Sequence, residues 1–421
     1  MNLSTFRALK SRNFRLYFVG QALSLLGTWM QKTAVSWVIY ATTHSKLMLG
    51  LSVFATMFPA AAFSLVGGGV ADRYNRYRVL LTTQVLAMLQ AALLTAWVYF
   101  QPEGVWGIIG LSALLGIING FDVPARQSLV HQLVEDKNDL PNALALNSSM
   151  VNLSKLLGPA VAGLAIEGLG ATACFGLNAL SFVAVIGSLL ALRLPAYVAS
   201  VHKKNILGEL REGLGYLRAT HNIRFVVLML ALVSLLALPF TTLMPVYAKD
   251  IFHGTATTFG LIDSAIGAGA FVGALYLASR PPGTNLNRIL MLNTFIFGAG
   301  LMLFSHAPTY WLALVFIALG AFGMMSQITI SNTLLQTQAR PDMRGRVISF
   351  YVLAYTGMVP LGSLLVGWVS QRIGVQNTVL LQGLLALGLG GLHWRELHKL
   401  PAVHTDMPPQ ANSTQGLALS S

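Results

Sequence analysis

Three ionisable side chains stand inside long apolar stretches of this 421-residue chain: Lys32, Lys155 and Asp263. A charge at the centre of a bilayer costs about 2.5–3.5 kcal/mol or more, so one that is kept there is a functional candidate. Lys32 shares a helical face with Gln21, Ser24 and Thr28, at spacings of three and four. Lys155 shares one with Ser148 and Asn152. Two such stripes facing one cavity would favour an anionic or oxygen-rich molecule. The bland alternative is that each lysine is neutralised locally or snorkels. Asp263 is the one acid well inside an apolar stretch. It could titrate and so couple a proton, or simply hydrogen-bond a neighbouring helix. Gln327, Asn332, Tyr351 and Tyr355 are weaker cavity candidates, since core packing would explain them equally well.

Other chemistry finds no residues. His393 and His398 are five apart and fall on different helix faces, so no metal pair is expected. The glycine runs are not followed by Lys-Ser/Thr, so no phosphate-binding loop is read. No Ser/His/Asp set or carboxylate pair gathers near one end of a helix. No enzyme, metal or cofactor is therefore expected. The single cysteine, Cys174, reads as a packed thiol.

The elements that must position these residues follow from composition. The chain is 55% hydrophobic and only 10% charged, with a mean hydropathy of +0.65. Soluble domains carry about 25% charged residues. The apolar residues fall in runs of about 20, the length of a membrane-crossing helix. The predicted spans are 14–40, 47–71, 78–100, 104–124, 141–167, 171–193, 223–248, 256–279, 286–306, 310–332, 347–372 and 376–395. Of the 27 Lys and Arg residues, Lys46, Lys249 and Arg372 fall on one side of these spans, and Lys32 and Lys155 fall within them. All the others fall on the opposite side. This asymmetry makes the basic side cytoplasmic and puts both termini there. It also removes nucleic acid as the reason for the net charge of +13. The basic N-terminal stretch runs straight into the first span, with no secretory signal peptide expected.

The longest link falls mid-chain. It carries Lys203 and Lys204, then Ile206, Leu207, Leu210, Leu214 and Leu217 on one face. That pattern suits a helix on the membrane surface or one packed on the bundle. The expected organisation is a six-helix bundle over 1–195, a linker over 196–222, a second six-helix bundle over 223–400 and a disordered tail over 401–421. The halves echo one another. LVHQLVEDKNDLPNALAL after the fourth span matches TLLQTQARPDMRGRVISF after the tenth, each leading to a Gly/Pro pair, Gly158-Pro159 and Pro360 with Gly362. Internal repetition of this kind marks secondary transporters.

The link between spans two and three reads GGVADRYNRYR from Gly68. It resembles the signature loop of the major facilitator superfamily, with Gly68, Ala71, Asp72, Arg73 and Arg76 matching. Asn75 replaces a glycine, and Asn tolerates the same left-handed turn. The resemblance implies that Gly68, Asp72, Arg73 and Arg76 latch the two halves on the cytoplasmic side. Asp122 and Arg126, an i, i+4 pair at the inner end of span four, would join that gate. Further blocks, GQALSLLGTWMQKTAVSWVIY, FDVPARQSLV, LPNALALNSSMVNLSKLLGPAVAG and LLQTQARPDMRGRV, resemble drug- and siderophore-efflux proteins related to the enterobactin exporter. In span five Ser154, Gly158, Pro159 and Gly163 resemble the antiporter motif of such exporters, with Ser154 in place of a glycine.

The expectation is an all-α membrane protein of twelve transmembrane helices in two pseudo-symmetric bundles. It would sit as a monomer in a bacterial inner membrane, with the bilayer, protons and a small molecule as partners. It would export a siderophore or drug-like amphipath in exchange for protons. The alternatives are a lipid or lysolipid flippase of the same fold, and a non-transporting scaffold.

Overall fold

A computed structural model describes residues 3–194, 206–281 and 283–399 of the chain. The long helices are α1 (Arg12–Thr43), α2 (Lys46–Arg73), α3 (Arg76–Phe100), α4 (Val105–Leu133), α5 (Leu140–Leu169) and α6 (Ala171–Leu190). After α7 (Ile206–Ala219) come α8 (His221–Ile251), α9 (Ala256–Ala278), α10 (Leu286–Ser305), α11 (Tyr310–Gln338), α12 (Arg344–Ile373) and α13 (Val375–Lys399). Eleven of these helices are long and apolar enough to cross a membrane. The twelfth long helix, α1, has 32 residues but carries the polar stripe.

The links are short because polar caps and left-handed residues end each helix abruptly. Ser45 caps α2 by accepting from Met48 N at 3.3 Å. Asn75 caps α3, accepting from Tyr77 N at 3.0 Å. Asn285 does the same for α10, accepting from Arg288 N at 3.1 Å. Gly170, at φ +83°, is the whole link between α5 and α6, and Gly374, at φ +86°, that between α12 and α13. That conformation strains any residue with a Cβ. The punctuation of α1–α6 thus recurs in α8–α13.

Two helices run furthest past their predicted ends: α4 continues to Leu133 and α11 to Gln338. Hydropathy stops where polar side chains begin, but backbone hydrogen bonding carries a helix on into water. The predicted span over 223–248 is interrupted. α8 breaks at Ala237 into a 3-10 segment at Leu238–Leu243, then resumes through a π turn at Tyr247–Ile251. Pro239 and Pro245 have no amide hydrogen and cannot continue the α pattern. Gln382 of α13 repairs the break, donating from Nε2 to Leu236 O at 3.2 Å and Ala237 O at 3.4 Å. In α12 a second π turn spans Leu353–Gly357.

Within α1–α6, α1 packs on α5 and α6, α2 on α4, and α3 on α4 and α6. Within α8–α13, α10 packs on α11 and α13, and α9 on α11. The two sets meet along α5–α9 and α2–α12. Glycines make both seams tight. A Cβ on Gly260 would stand 2.3 Å from Pro159 O, and one on Gly50 2.4 Å from Ser363 O.

The apolar cores differ between the two ends of the molecule. At the end away from Arg12, one core runs through both sets, from Ile39 and Leu49 to Phe240, Tyr247 and Phe259. At the end carrying Arg12 there are two: Phe14, Tyr17 and Leu129 in one, Ile223, Leu334 and Val347 in the other. Five described hydrogen bonds join the sets at the far end. Tyr40 donates to Asp250. Lys249 Nζ donates to Ala41 O at 3.3 Å, and Lys46 Nζ to Ser370 O at 3.3 Å. Thr255 and Thr257 donate to Glu167 at 2.9 and 2.5 Å. The far end is sealed by a shared core and cross-set hydrogen bonds.

Of the amphipathic helix, α7 packs on the bundle: Leu217 is buried and Glu212 pairs with Arg346 at 2.7 Å. The side chains of Ile206, Leu207 and Leu210, together with Lys203, Lys204 and the tail, lie outside the described residues.

Candidate functional site

A cavity of about 460 Å³ opens among α1–α6. Ser24, Thr28, Trp29 and Lys32 line it from α1, Ser52 and Thr56 from α2, and Gln84 from α3. Asn119, Asp122, Arg126 and Gln127 come from α4, and Asn147 and Val151 from α5. The sequence stripe on α1 therefore faces a cavity, as its spacing predicts. Gln21 is the exception, being only 1% exposed and outside the lining.

Two of the three embedded charges meet on one ring. Lys32 Nζ stands 4.6 Å from the centroid of the Trp29 ring, and Lys155 Nζ 5.6 Å from the same ring. A cation over an indole face is held by the ring quadrupole, and Trp29 here serves two. Lys32 is within electrostatic reach of both Lys155 and Asp263. Both lysines keep open surface although they lie well inside their helices. Asp263, half-buried on α9, brings the second helix set into the group.

On α5 the polar face is displaced from expectation. Asn147 and Val151 line the cavity, whereas Ser148 is exposed, Asn152 is half-buried, and Lys155, expected in the lining, is exposed one turn beyond Val151 and outside it. Spacings of seven and eight both share a helical face with Lys155, so sequence spacing could not separate the two stripes. Gln327 turns away from the cavity. It is 3% exposed and donates to Thr294 of α10, beside an Asn293–Ser326 bond of 2.5 Å. Tyr355 lies half-buried in the π turn of α12, packed against the apolar cores. Tyr351 is buried and donates to Ile328 O at 3.0 Å.

The antiporter-like residues hold α5 between two neighbours. A Cβ on Gly158 would meet Trp29 Cβ at 2.5 Å, and one on Gly163 would meet Ala256 O at 2.7 Å. Gly158 thus lets α1 bring Trp29 against α5, while Pro159 O and Gly163 receive α9.

Asp122 and Arg126 do not sit at the end of α4, because the helix runs on to Leu133. The pair forms part of the cavity wall. Asp122, 2% exposed, pairs with Arg126 and accepts from Thr83 Oγ1 at 2.9 Å and Gln84 Nε2 at 2.6 Å. The carboxylate side of this buried ion pair is thus well satisfied, as its burial requires, whereas Arg126 Nε has no partner. Of the loop residues, Arg76 Nε donates to Ala71 O at 3.3 Å and staples the α2–α3 turn. Arg73 is exposed, and the side chain of Asp72 lies outside the described residues. Among the glycines at 67–69, close helix approach occurs at the first. A Cβ on Gly67 would stand 2.1 Å from Gly120 O, whereas Gly68 faces open space.

Sequence reasoning missed a ladder of buried amides. Asn178 Nδ2 donates to Gln31 Oε1 at 2.8 Å, Gln31 Nε2 to Gln90 Oε1 at 3.2 Å, and Gln90 Nε2 to Leu111 O at 3.1 Å. The ladder ties α6, α1, α3 and α4 beside the cavity. Trp29, Gln84, Asn119, Gln127 and Asn147 were also missed. For the amides, their place within apolar segments was the available signal, but only a choice of helix face and partner helix separates these from Gln21, Asn152 and Gln327.

Apolar membrane-length helices around a charged cavity define a multi-pass membrane protein built to receive a small polar molecule. The chain belongs to the transmembrane secretion effector family of the major facilitator superfamily, matching it over residues 3–419. It is 26% identical over 374 residues to the staphyloferrin A transporter of Staphylococcus aureus, covering 88% of this chain and 92% of that one. It is 24% identical over 394 residues to macrolide efflux protein A of Streptococcus pyogenes, covering 90% and 95%. Among solved structures, a POT family transporter in complex with a thioalcohol-conjugated peptide superposes with a TM-score of 0.74 at 13% identity, covering 92% of this chain and 96% of that one. The family and these relatives are transporters, not enzymes.

Proposed function

We propose that this protein is a proton-coupled exporter of a small amphipathic molecule, siderophore or drug-like, in a bacterial inner membrane. It acts as a monomer of twelve transmembrane helices with both termini in the cytoplasm. Its halves, 1–195 and 223–400, rock about the α5–α9 and α2–α12 seams, joined by the linker 196–222. The end carrying Arg12 is then cytoplasmic, in line with the charge asymmetry. With the far end sealed and the cores split at the near end, the molecule stands ready to load from inside. The relatives named for siderophore transport and macrolide efflux support export of such molecules over the lipid-flippase reading.

The observation that carries this reading is the meeting of Lys32 and Lys155 over the Trp29 ring, with Asp263 of the second helix set within electrostatic reach of Lys32. The lysines and the indole suit an oxygen-rich or acidic part of the substrate. Asp263 carries the proton. Exchange requires that substrate and proton exclude one another, and such coupling acts equally in both directions. The part of the substrate that docks at Asp263 therefore bears an amine or another hydrogen-bond donor, which competes with the proton. On the cytoplasmic side, Asp72, Arg73 and Arg76 close the gate when the cavity turns outward.

The test is efflux driven by a pH gradient in reconstituted vesicles, with a siderophore panel and a cationic dye as substrates. Asp263→Asn should abolish gradient-driven transport while leaving substrate counterflow. Lys155→Ala should weaken affinity for acidic substrates. Undiminished gradient-driven transport by Asp263→Asn would show that another group carries the proton.

A further inference from the structure

Outside the transport cavity the molecule carries a second concavity, a groove of about 630 Å³ between α3 and α4. Val79, Thr82 and Leu86 form one wall, and Leu114, Ile117 and Phe121 the other. Both sets follow helical spacing along a single face. The α2–α3 turn closes one end, placing Arg78, Tyr74 and Asn75 at the rim together with Arg73. Arg78 is exposed, and Tyr74 is 63% exposed. From Arg78 to Leu86 is eight residues, about 12 Å of helix. One leaflet of a bilayer core is about 15 Å deep. The groove therefore has a cationic, hydrogen-bonding head at headgroup level and an apolar trough nearly one leaflet long.

We propose that this groove is a binding site for an anionic phospholipid. The acyl chain lies in the α3–α4 trough and the phosphate meets Arg78, with the Tyr74 hydroxyl beside it. Charge decides the class. The rim lies at the end where nearly all the Lys and Arg residues collect, which favours a headgroup with net negative charge over a zwitterionic one carrying its own ammonium. The apolar walls exclude a free phosphate as the intended ligand. The site also adjoins the transport cavity. Ile118 lines both concavities, and Thr83, which lines the groove, donates to Asp122 of the cavity wall at 2.9 Å. Lipid in the groove thus presses on the wall that holds the Asp122–Arg126 pair.

Native mass spectrometry of the full chain in detergent tests this, with dioleoyl phosphatidylglycerol, dioleoyl phosphatidylcholine and glycerol 3-phosphate as probes. The wild type should retain phosphatidylglycerol at least about fivefold better than phosphatidylcholine, and should not retain glycerol 3-phosphate. Arg78→Gln should lower phosphatidylglycerol affinity about fivefold, the worth of one juxtamembrane charge. Thr82→Trp, which fills the trough, should lower it as well, and Lys10→Gln, a basic residue away from the groove, should leave it unchanged. If Thr82→Trp does not fold, Arg78→Gln decides alone. A change below twofold in Arg78→Gln overturns the proposal. So does an equal loss in Lys10→Gln, which would mean diffuse attraction. Full competition by glycerol 3-phosphate would make this a free-anion site and would also overturn it.

Discussion

Adding one methyl group at Gly260 should unseal the far end. The alanine Cβ would stand 2.3 Å from Pro159 O, 3.1 Å from Pro159 C and 3.2 Å from Gly163 Cα. Ordinary carbon–oxygen contacts lie at about 3.3–3.6 Å, so the shortfall is about 1 Å. Backbone atoms of a packed helix cannot rotate aside as a side-chain tip would, so α5 and α9 must separate. Overpacking of this kind costs about 1–3 kcal/mol. That cost falls on the sealed arrangement, in which the two helices touch, and shifts the balance toward the unsealed one by about 5–150-fold. The assay is maleimide labelling of Ala248→Cys, a position with no exposure in the shared core at the far end. The one native thiol, Cys174, lies in the same core, so both chains carry Cys174→Ala to keep the background low. Labelling from the far side should accelerate by that factor in Gly260→Ala. Gly187→Ala is the control, because nothing stands within 4 Å of its added carbon. Equal labelling rates in Gly260→Ala and the parent would refute the claim that the glycine contact holds the seal.

The other expectations follow from single contacts. Asp122→Ala leaves Arg126 unpaired within the helix set and should cost about 3–5 kcal/mol, read as a lowered unfolding midpoint. The double variant Asp122→Ala with Arg126→Met should recover most of that loss, and failure to recover would mean that the pair is not the source. Gln382→Leu strips the donor from Leu236 O and Ala237 O at the α8 break, and should cost about 1–3 kcal/mol. A midpoint unchanged by Gln382→Leu would show that the break is satisfied elsewhere. Glu167→Leu removes the acceptor shared by Thr255 and Thr257. It should raise far-end labelling less than Gly260→Ala does, because an exposed bond contributes less than a backbone clash removes. A larger rise in Glu167→Leu would reverse that ranking.

Helix existence was legible because bilayer-length apolar runs admit few alternatives. Helix ends were less so. Asn75 and Asn285 mark their caps plainly, but α4 and α11 carry their polar last turns beyond the point where hydropathy falls. The break in α8 was written in Pro239 and Pro245, yet hydropathy averages over prolines. At the site, spacing could place Ser24, Thr28 and Lys32 on one face. It could not say whether Lys155 extends a line through Ser148 or through Asn147, since both fit a 3.6-residue period. Nor could it see that Gln327 points at Thr294, because two helices decide that bond and only one contains the residue. The meeting of Lys32 with Asp263 lies further still from sequence, as it depends on how the two helix sets dock.

The helix that falls outside the apolar, membrane-length set is α1, and the reason is functional. Its 32 residues are ample for a crossing. Its hydropathy is lowered by Ser24, Thr28, Gln31 and Lys32, residues that either line the cavity or tie its walls. A helix that faced lipid with these groups would strand them without partners. α1 can hold them because α5 and α6 cover its flanks and the amide ladder satisfies Gln31. Polarity that would weaken the case for a lone membrane helix is thus a sign that α1 is central to the bundle. The same reasoning explains why Trp29 belongs there. An indole gives the two lysines a face to rest on without adding another charge to a cavity that already holds Asp122, Arg126 and Lys32.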